Sequence, residues 1–317
     1  MTGYPRVEGP DPQRDPLLGE LLQHLRVRHH DAACAALVYG SCLRSGDIYD
    51  GLLDLYLICD SYRSAYRRWL PAAANWLLPP NVFYAEQTGR DAAGAERTLR
   101  AKVTLISLRD FRRGCSRSWF ESYIWGRFAQ PTHVLYARDA EVRTDIEQAL
   151  LNAAHTLLRR AIPALPQTGT LDTLWEQALA LSYSTELRTE RSGRAAELAR
   201  DAHDFYAAVT RLHAPAIGHG FRLRESASGI TYSSAPSGPS RTLASMGWAL
   251  RRAQGKLLSI LRLVKGLFTF EGGLDYIAWK LERHSGESIE IPDKVRRAPL
   301  IHLWAFFWGL YKRGIFK

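Results

Sequence analysis

Two apolar runs on either side of a Gly-Ser step constrain this chain most: ALVYGS at 36–41 and LLDLYLICD at 52–60. The second run is apolar without alternation, apart from Asp54. That character suits a central strand covered on both faces. A strand covered on both faces requires helices above and below it. The flanking sequence is therefore expected to alternate between strand and helix.

That alternation is present. Residues 16–36 have apolar side chains at helical spacing and are expected to form a first helix, followed by ALVYG as a strand. SAYRRWLPAAANWLL is expected to be a helix interrupted near Pro71. NVFYAEQ and KVTLISL are two further strands, separated by the polar loop TGRDAAGAERT. RDFRRGCSRSWFESYIWGRF is expected to be helical, PTHVLYA to be a fifth strand, and residues from 139 onward to begin a helical region. These elements imply an α/β domain over 1–150 and a mostly helical domain over 151–213. Residues 214–240, rich in Gly, Ser, Pro and Ala, have linker composition, and 241–317 form a basic, aromatic region.

Charge is unevenly placed. The net charge is +10, and residues 241–317 hold 14 Lys and Arg against 6 Asp and Glu. Such asymmetry points to an anionic partner, nucleic acid or an acidic lipid surface, with a solvated basic face as the plain alternative. The four cysteines have no C-x-x-C spacing, which argues against a structural zinc site and fits a reducing compartment. The start, MTGYPRVEGPDPQRDP, lacks the apolar run of a secretory signal. The best spanning candidate, LIHLWAFFWGLY, has 12 residues where a spanning helix needs ~20.

The Gly40-Ser41 step followed by a strand opening on Asp54 has a chemical reading. A small turn lets backbone N–H groups approach phosphates, Ser41 adds a hydroxyl, and a carboxylate on the next strand can hold magnesium. Nucleotidyltransferases of the polymerase-β type place Asp-x-Asp on that strand. Here the second position is Tyr56. Asp60 at the strand's end and Glu86 after the third strand are further carboxylates, each also readable as a turn or surface residue.

Four segments in order resemble the mitochondrial-type phosphatidate cytidylyltransferase family, the maintenance-type CDP-diacylglycerol synthases. They are Tyr39-Gly40-Ser41 with Asp54-Leu55-Tyr56, Lys102-Val103-Thr104-Leu105-Ile106-Ser107, Tyr123-Ile124-Trp125-Gly126-Arg127, and Leu181-Ser182-Tyr183-Ser184-Thr185-Glu186-Leu187-Arg188. That family has a single leading Asp on its strand, so the resemblance implies an active enzyme despite Tyr56. Cys42 in place of a Gly and Glu186 in place of an Asp are departures.

The resemblance implies a polymerase-β-like α/β nucleotidyltransferase domain, then a mostly helical domain, of which a winged-helix arrangement is one form, and a basic amphipathic C-terminal region. It implies catalytic roles for Asp54, Lys102 and Glu186, and nucleotide binding by Gly40, Ser41, Arg127 and Arg188. Mg2+ would be held by Asp54 and Glu86. The substrates would be CTP and phosphatidic acid at an anionic membrane surface, with no nucleic acid. The location would be peripheral, on the cytoplasmic face of a bacterial membrane or the matrix side of the mitochondrial inner membrane. LIHLWAFFWGLYKRGIFK and RRAQGKLLSILRLVKGLF, with interleaved basic and apolar residues, would reach the lipid. An RNA-directed nucleotidyltransferase or nucleic-acid-binding protein, and an inactive scaffold, are the competing readings.

Overall fold

The structure, a computed structural model, describes residues 3–186, 193–227, 229–269, 291–297, 302, 308 and 309. Arg188 and most of the tail at 300–317 lie outside these residues. Asp15 caps α1 (Pro16–Arg28), accepting the Leu18 N–H at 3.1 Å, and Pro16 occupies the first turn, where its missing N–H costs nothing. The helix ends eight residues before the expected position. His30 and Asp31 take φ of 57° and 55° and turn the chain, and β1 (Ala33–Tyr39) begins at once. Its Ala-Cys-Ala-Ala start favours a helix locally, but all seven residues are buried between two layers. Tertiary packing overrides propensity there.

After β1 come α2 (Ser41–Ser45), β2 (Leu53–Cys59), α3 (Tyr62–Tyr66) and α4 (Trp69–Leu77). The break in the expected helix is at Arg67, in the left-handed region at φ 50°, and Pro71 sits harmlessly in the first turn of α4. β3 (Asn81–Arg90) and β4 (Glu96–Ser107) form a hairpin, so most of the polar stretch expected to be loop is strand. Then follow α5 (Leu108–Cys115), α6 (Trp125–Phe128) and β5 (His133–Ala137). The strand order is β3-β4-β2-β1-β5, with β2 parallel to β4 and the other neighbours antiparallel. The result is a mixed α/β fold.

Both faces of the sheet are covered. Leu55, Leu57, Val103 and Leu105 pack with Leu18, Leu21 and Leu25 of α1. On the opposite face, Leu37, Tyr56, Ile58 and Ile106 pack with α7 (Ala140–Ala161). The expected boundary at residue 150 falls inside this helix. The same core continues into α8 (Leu171–Tyr183), α9 (Arg194–Asp201) and α10 (His203–Ile217), where Trp175 and Tyr206 stack with centroids 4.2 Å apart.

The stretch expected to be linker carries β7 (Arg222–Ser226) and β8 (Gly229–Ser233), which extend a short β6 (Thr168–Thr170) into a three-stranded sheet. Its Gly and Ser residues make the tight connection, and Tyr232 anchors it, donating its hydroxyl proton to the Pro166 carbonyl at 2.9 Å. Gly238–Thr269 form the long α11, which lays Trp248 and Arg251 into the core side.

Tyr56 is fully buried, with ring contacts to Tyr39 and Phe128 at 5.7 and 4.7 Å. Its hydroxyl makes no regular hydrogen bond among the described residues, although Tyr123 and Arg127 lie beside it. Tyr56→Asp would bury a carboxylate in an aromatic cluster, so we predict a loss of about 4 kcal/mol or failure to fold. Tyr56→Phe is expected to cost less than about 1 kcal/mol. Urea unfolding of both variants checks this pair of outcomes.

Candidate functional site

At one level of the sheet, four residues stand in register across four strands: Tyr39, Asp54, Lys102 and Tyr84. Paired residues on neighbouring strands share a face, so Asp54 and Lys102 are side by side. Both are half-buried, and neither has an ion-pair partner among the described residues. An unpaired carboxylate next to an unpaired ammonium, at the mouth of a packed sheet, is an uncommon arrangement with room for a charged ligand.

Gly40 makes this possible. It takes φ 89° and ψ −154°, and a Cβ there would lie 2.7 Å from Asp54 Oδ2. Only glycine lets the turn lie against the carboxylate. Ser41, exposed, begins α2 directly after it. The Cys42 side chain faces inward, its thiol donating to the Leu52 carbonyl at 3.3 Å, so it does not obstruct the outer side of the turn.

Arg127 and Glu186 form an ion pair, the guanidinium Nη2 donating to Oε1 and Oε2 at 3.0 and 3.2 Å. Glu186 is beyond the end of α8, in a turn, so it approaches from the helical side while Arg127 comes from α6. Burial works against the Arg127 charge, but Glu186 together with Tyr123, Tyr39 and Tyr56 outweighs it and keeps the group firmly protonated. Gly126, the residue before it, packs against Ser182, where a Cβ would meet the Ser182 Cβ at 2.8 Å.

Sequence reasoning gave no role to the group that links these parts. The Tyr123 ring has two guanidinium neighbours, Arg127 at 4.2 Å and Arg262 at 4.3 Å from its centroid. Arg262 comes from α11 and binds Glu121 in bidentate fashion, at 2.5 and 2.8 Å. Burial opposes ionisation of the Tyr123 phenol. Arg127, Lys102 and Arg262 together outweigh burial and hold it below its ordinary range. One turn on, Lys265 donates to Asn75 Oδ1 and to the carbonyls of Leu78 and Pro80, and burial, followed by Arg262, lowers its ammonium to about 7. The helical phase of Trp248, Arg251, Gly255 and Arg262 was the available signal, since these residues recur on one side of the helix.

Two carboxylates do not join the site. Glu86 lies within β3, accepts the Tyr84 hydroxyl at 2.7 Å and faces Arg100. It is two strands from Asp54, about 10 Å by strand spacing, and two residues further along, too far to share one ion. Asp60 is at the other end of β2, paired with Arg138 at 2.8 Å.

A cleft of about 490 Å³ borders Gly40. Leu43 and Arg44 form one wall, and Arg200, Asp201 and Phe205 belong to the opposite one. Compared with models of known protein families and with characterised proteins, the chain matches none.

The Arg127–Glu186 pair is partly exposed, at 15% and 24% of the side-chain surface, so its loss should cost less than that of a fully buried pair. Glu186→Gln is expected to lower stability by about 2 kcal/mol in denaturant unfolding. Tyr123 gives a pH signature. As an acid depressed in the folded state, it contributes stability that is complete above the unfolded tyrosine value of about 10 and fades as pH falls through the lowered folded value. The stability difference between wild type and Tyr123→Phe should therefore grow as pH rises toward about 10, and the earliest tyrosinate absorbance should disappear in the variant.

Proposed function

We propose that this chain transfers a cytidylyl group from CTP to phosphatidic acid at an anionic membrane surface, releasing pyrophosphate and forming CDP-diacylglycerol. The observation that carries the reading is the unpaired Asp54–Lys102 pair set against the Gly40 turn. A lone carboxylate facing a triphosphate would repel it unless a divalent cation lay between them. Magnesium is commonly bound by one or two carboxylates together with substrate phosphates, so Asp54 and the Ser41 hydroxyl suit an ion that arrives with the nucleotide. When bound, it would supply neutralisation of the phosphate charge.

The chain's own residues would do the rest. Gly40 and Ser41 admit the phosphates, and Lys102 offsets charge beside Asp54. The lipid phosphate is already anionic at neutral pH, so one of its oxygens attacks the α-phosphorus without a general base. The bond from the α-phosphorus to its bridging oxygen breaks, and the electron pair leaves with pyrophosphate. The cleft beside Gly40, with Phe205 and Arg200 on its far wall, is large enough for a nucleotide. Arg127, engaged by Glu186, acts here as a positioning residue for Tyr123 rather than as a free phosphate ligand.

The basic and apolar residues of α11 support a peripheral docking: Leu257 and Ile260 are exposed, as is Lys256. Among the described residues no helix is long and apolar enough to cross a membrane.

Incubation of the protein with labelled CTP, phosphatidic acid and magnesium is expected to yield a labelled liponucleotide. Asp54→Asn should reduce that product by a factor on the order of a hundred or more, with an unchanged melting curve. Undiminished turnover in the variant removes Asp54 from the mechanism. Retention on RNA with no liponucleotide product would favour the nucleic-acid reading.

A further inference from the structure

The helix α4 is folded inside out. Its exposed large side chains are Trp69, Leu70, Trp76 and Leu77, at 75%, 59%, 63% and 77% exposure. At 100° per residue these four positions fall within one arc of about 120°. Its one polar residue, Asn75, is 1% exposed and points inward, where its side-chain oxygen accepts from Lys265. A stripe with two tryptophans turned to solvent, and an amide turned to the core, requires an apolar partner.

The surroundings say which partner. Arg63, Arg67 and Arg68 are exposed at the N-terminal end of α4, and residues 61–85 contain no Asp or Glu. The first turn of α4 has no acidic residue, and Arg68 is its N-cap residue, directly after Arg67. Alongside, a groove of about 480 Å³ is lined by Trp76, Arg63, Arg109 and Asp60, whose carboxylate is already paired with Arg138. Indole rings next to exposed arginines match the boundary between headgroups and acyl chains of an anionic bilayer. A protein partner would need acids to meet the arginines and a matching groove for the indoles; a lipid surface provides both at once.

We propose that α4 is a membrane-docking surface that sits in the interface of an anionic bilayer, with Trp69 and Trp76 at headgroup depth and Arg63, Arg67 and Arg68 on lipid phosphates. It rests on the membrane part of the proposed function but not on catalysis. The C-terminal end of α4 is held by Lys265 and Arg262, and Arg262 in turn contacts Tyr123.

The test is flotation of the full chain with phosphatidylcholine vesicles, with and without phosphatidylglycerol. Trp69→Ser/Trp76→Ser should reduce partition at least about tenfold while melting as wild type does. Arg63→Glu/Arg68→Glu should lose at least about tenfold on the anionic vesicles alone. Wild-type partition in both variants overturns α4 as the docking surface, even if liponucleotide is still formed. A lowered melting temperature of the serine variant shows the indoles covered within the chain and also overturns it. So does a wild-type dimer that this variant converts to monomer. A wild-type chain that ignores anionic vesicles overturns both this proposal and the membrane reading. Vesicle binding through α4 without liponucleotide formation leaves the docking standing and removes the enzymatic reading.

Discussion

Tyr123, with a guanidinium on Arg127 and another on Arg262 against its ring, joins three parts of the chain that are distant in sequence. Each cation brings its own carboxylate, Glu186 for Arg127 and Glu121 for Arg262. Burying such charges is costly, and the cost is offset only when every member is paired. The network therefore fixes α6, the turn after α8 and the middle of α11 together. Gly255 reinforces it, since α11 lies so close to the Thr185 carbonyl that any side chain there would collide with it. Without this cluster α11 has little reason to cross the sheet, and Lys265 would not reach the end of α4.

The same network changes the meaning of the positive charge. Taken along the sequence, the basic C-terminal quarter reads as a surface for an anion. In the fold, part of that charge is structural. Arg251 is 8% exposed and donates to the Phe120 carbonyl, and Arg262 is ion-paired to Glu121. Arg160, from α7, likewise donates to the carbonyls of Arg117, Trp119 and Phe120 and lies 5.0 Å from the Trp125 ring. Arginine suits these positions because its planar group can stack on an aromatic ring while donating at its edge. A formal net charge does not distinguish these inward arginines from the exposed Arg63 on α3 and Arg67 and Arg68 that follow it.

How much was legible follows from this. The central strands were readable because LLDLYLIC is apolar throughout, and the Gly40–Asp54 approach was readable because the turn and the strand are close in sequence. The Ala-rich start of β1 was not, since alanine favours helix until both sheet faces are packed. Nor was the hairpin at 222–233, whose Gly and Ser content serves a tight turn as well as a linker. Tyr123 stood inside a matched segment, but its partner Arg262 is 139 positions away on a helix that reads as amphipathic. Periodicity shows that α4 and α11 have two unlike faces; it does not say which face turns inward. For α4 the answer, Asn75 in and the tryptophans out, depends on Lys265, which no local pattern in residues 69–77 announces.

The course of α7 has a mechanical consequence. A 22-residue helix that belongs to the sheet's packing at its start and to the helical bundle's packing at its end works as a strut, not a hinge. With Trp175 and Tyr206 stacked in the same continuous core, the bundle cannot swing away from the sheet without tearing that core open. The cleft between Gly40 and Phe205 therefore has walls whose spacing is set when the chain folds. A ligand entering it meets a gap already at its working width, and loses little of its binding energy to closing the protein around itself.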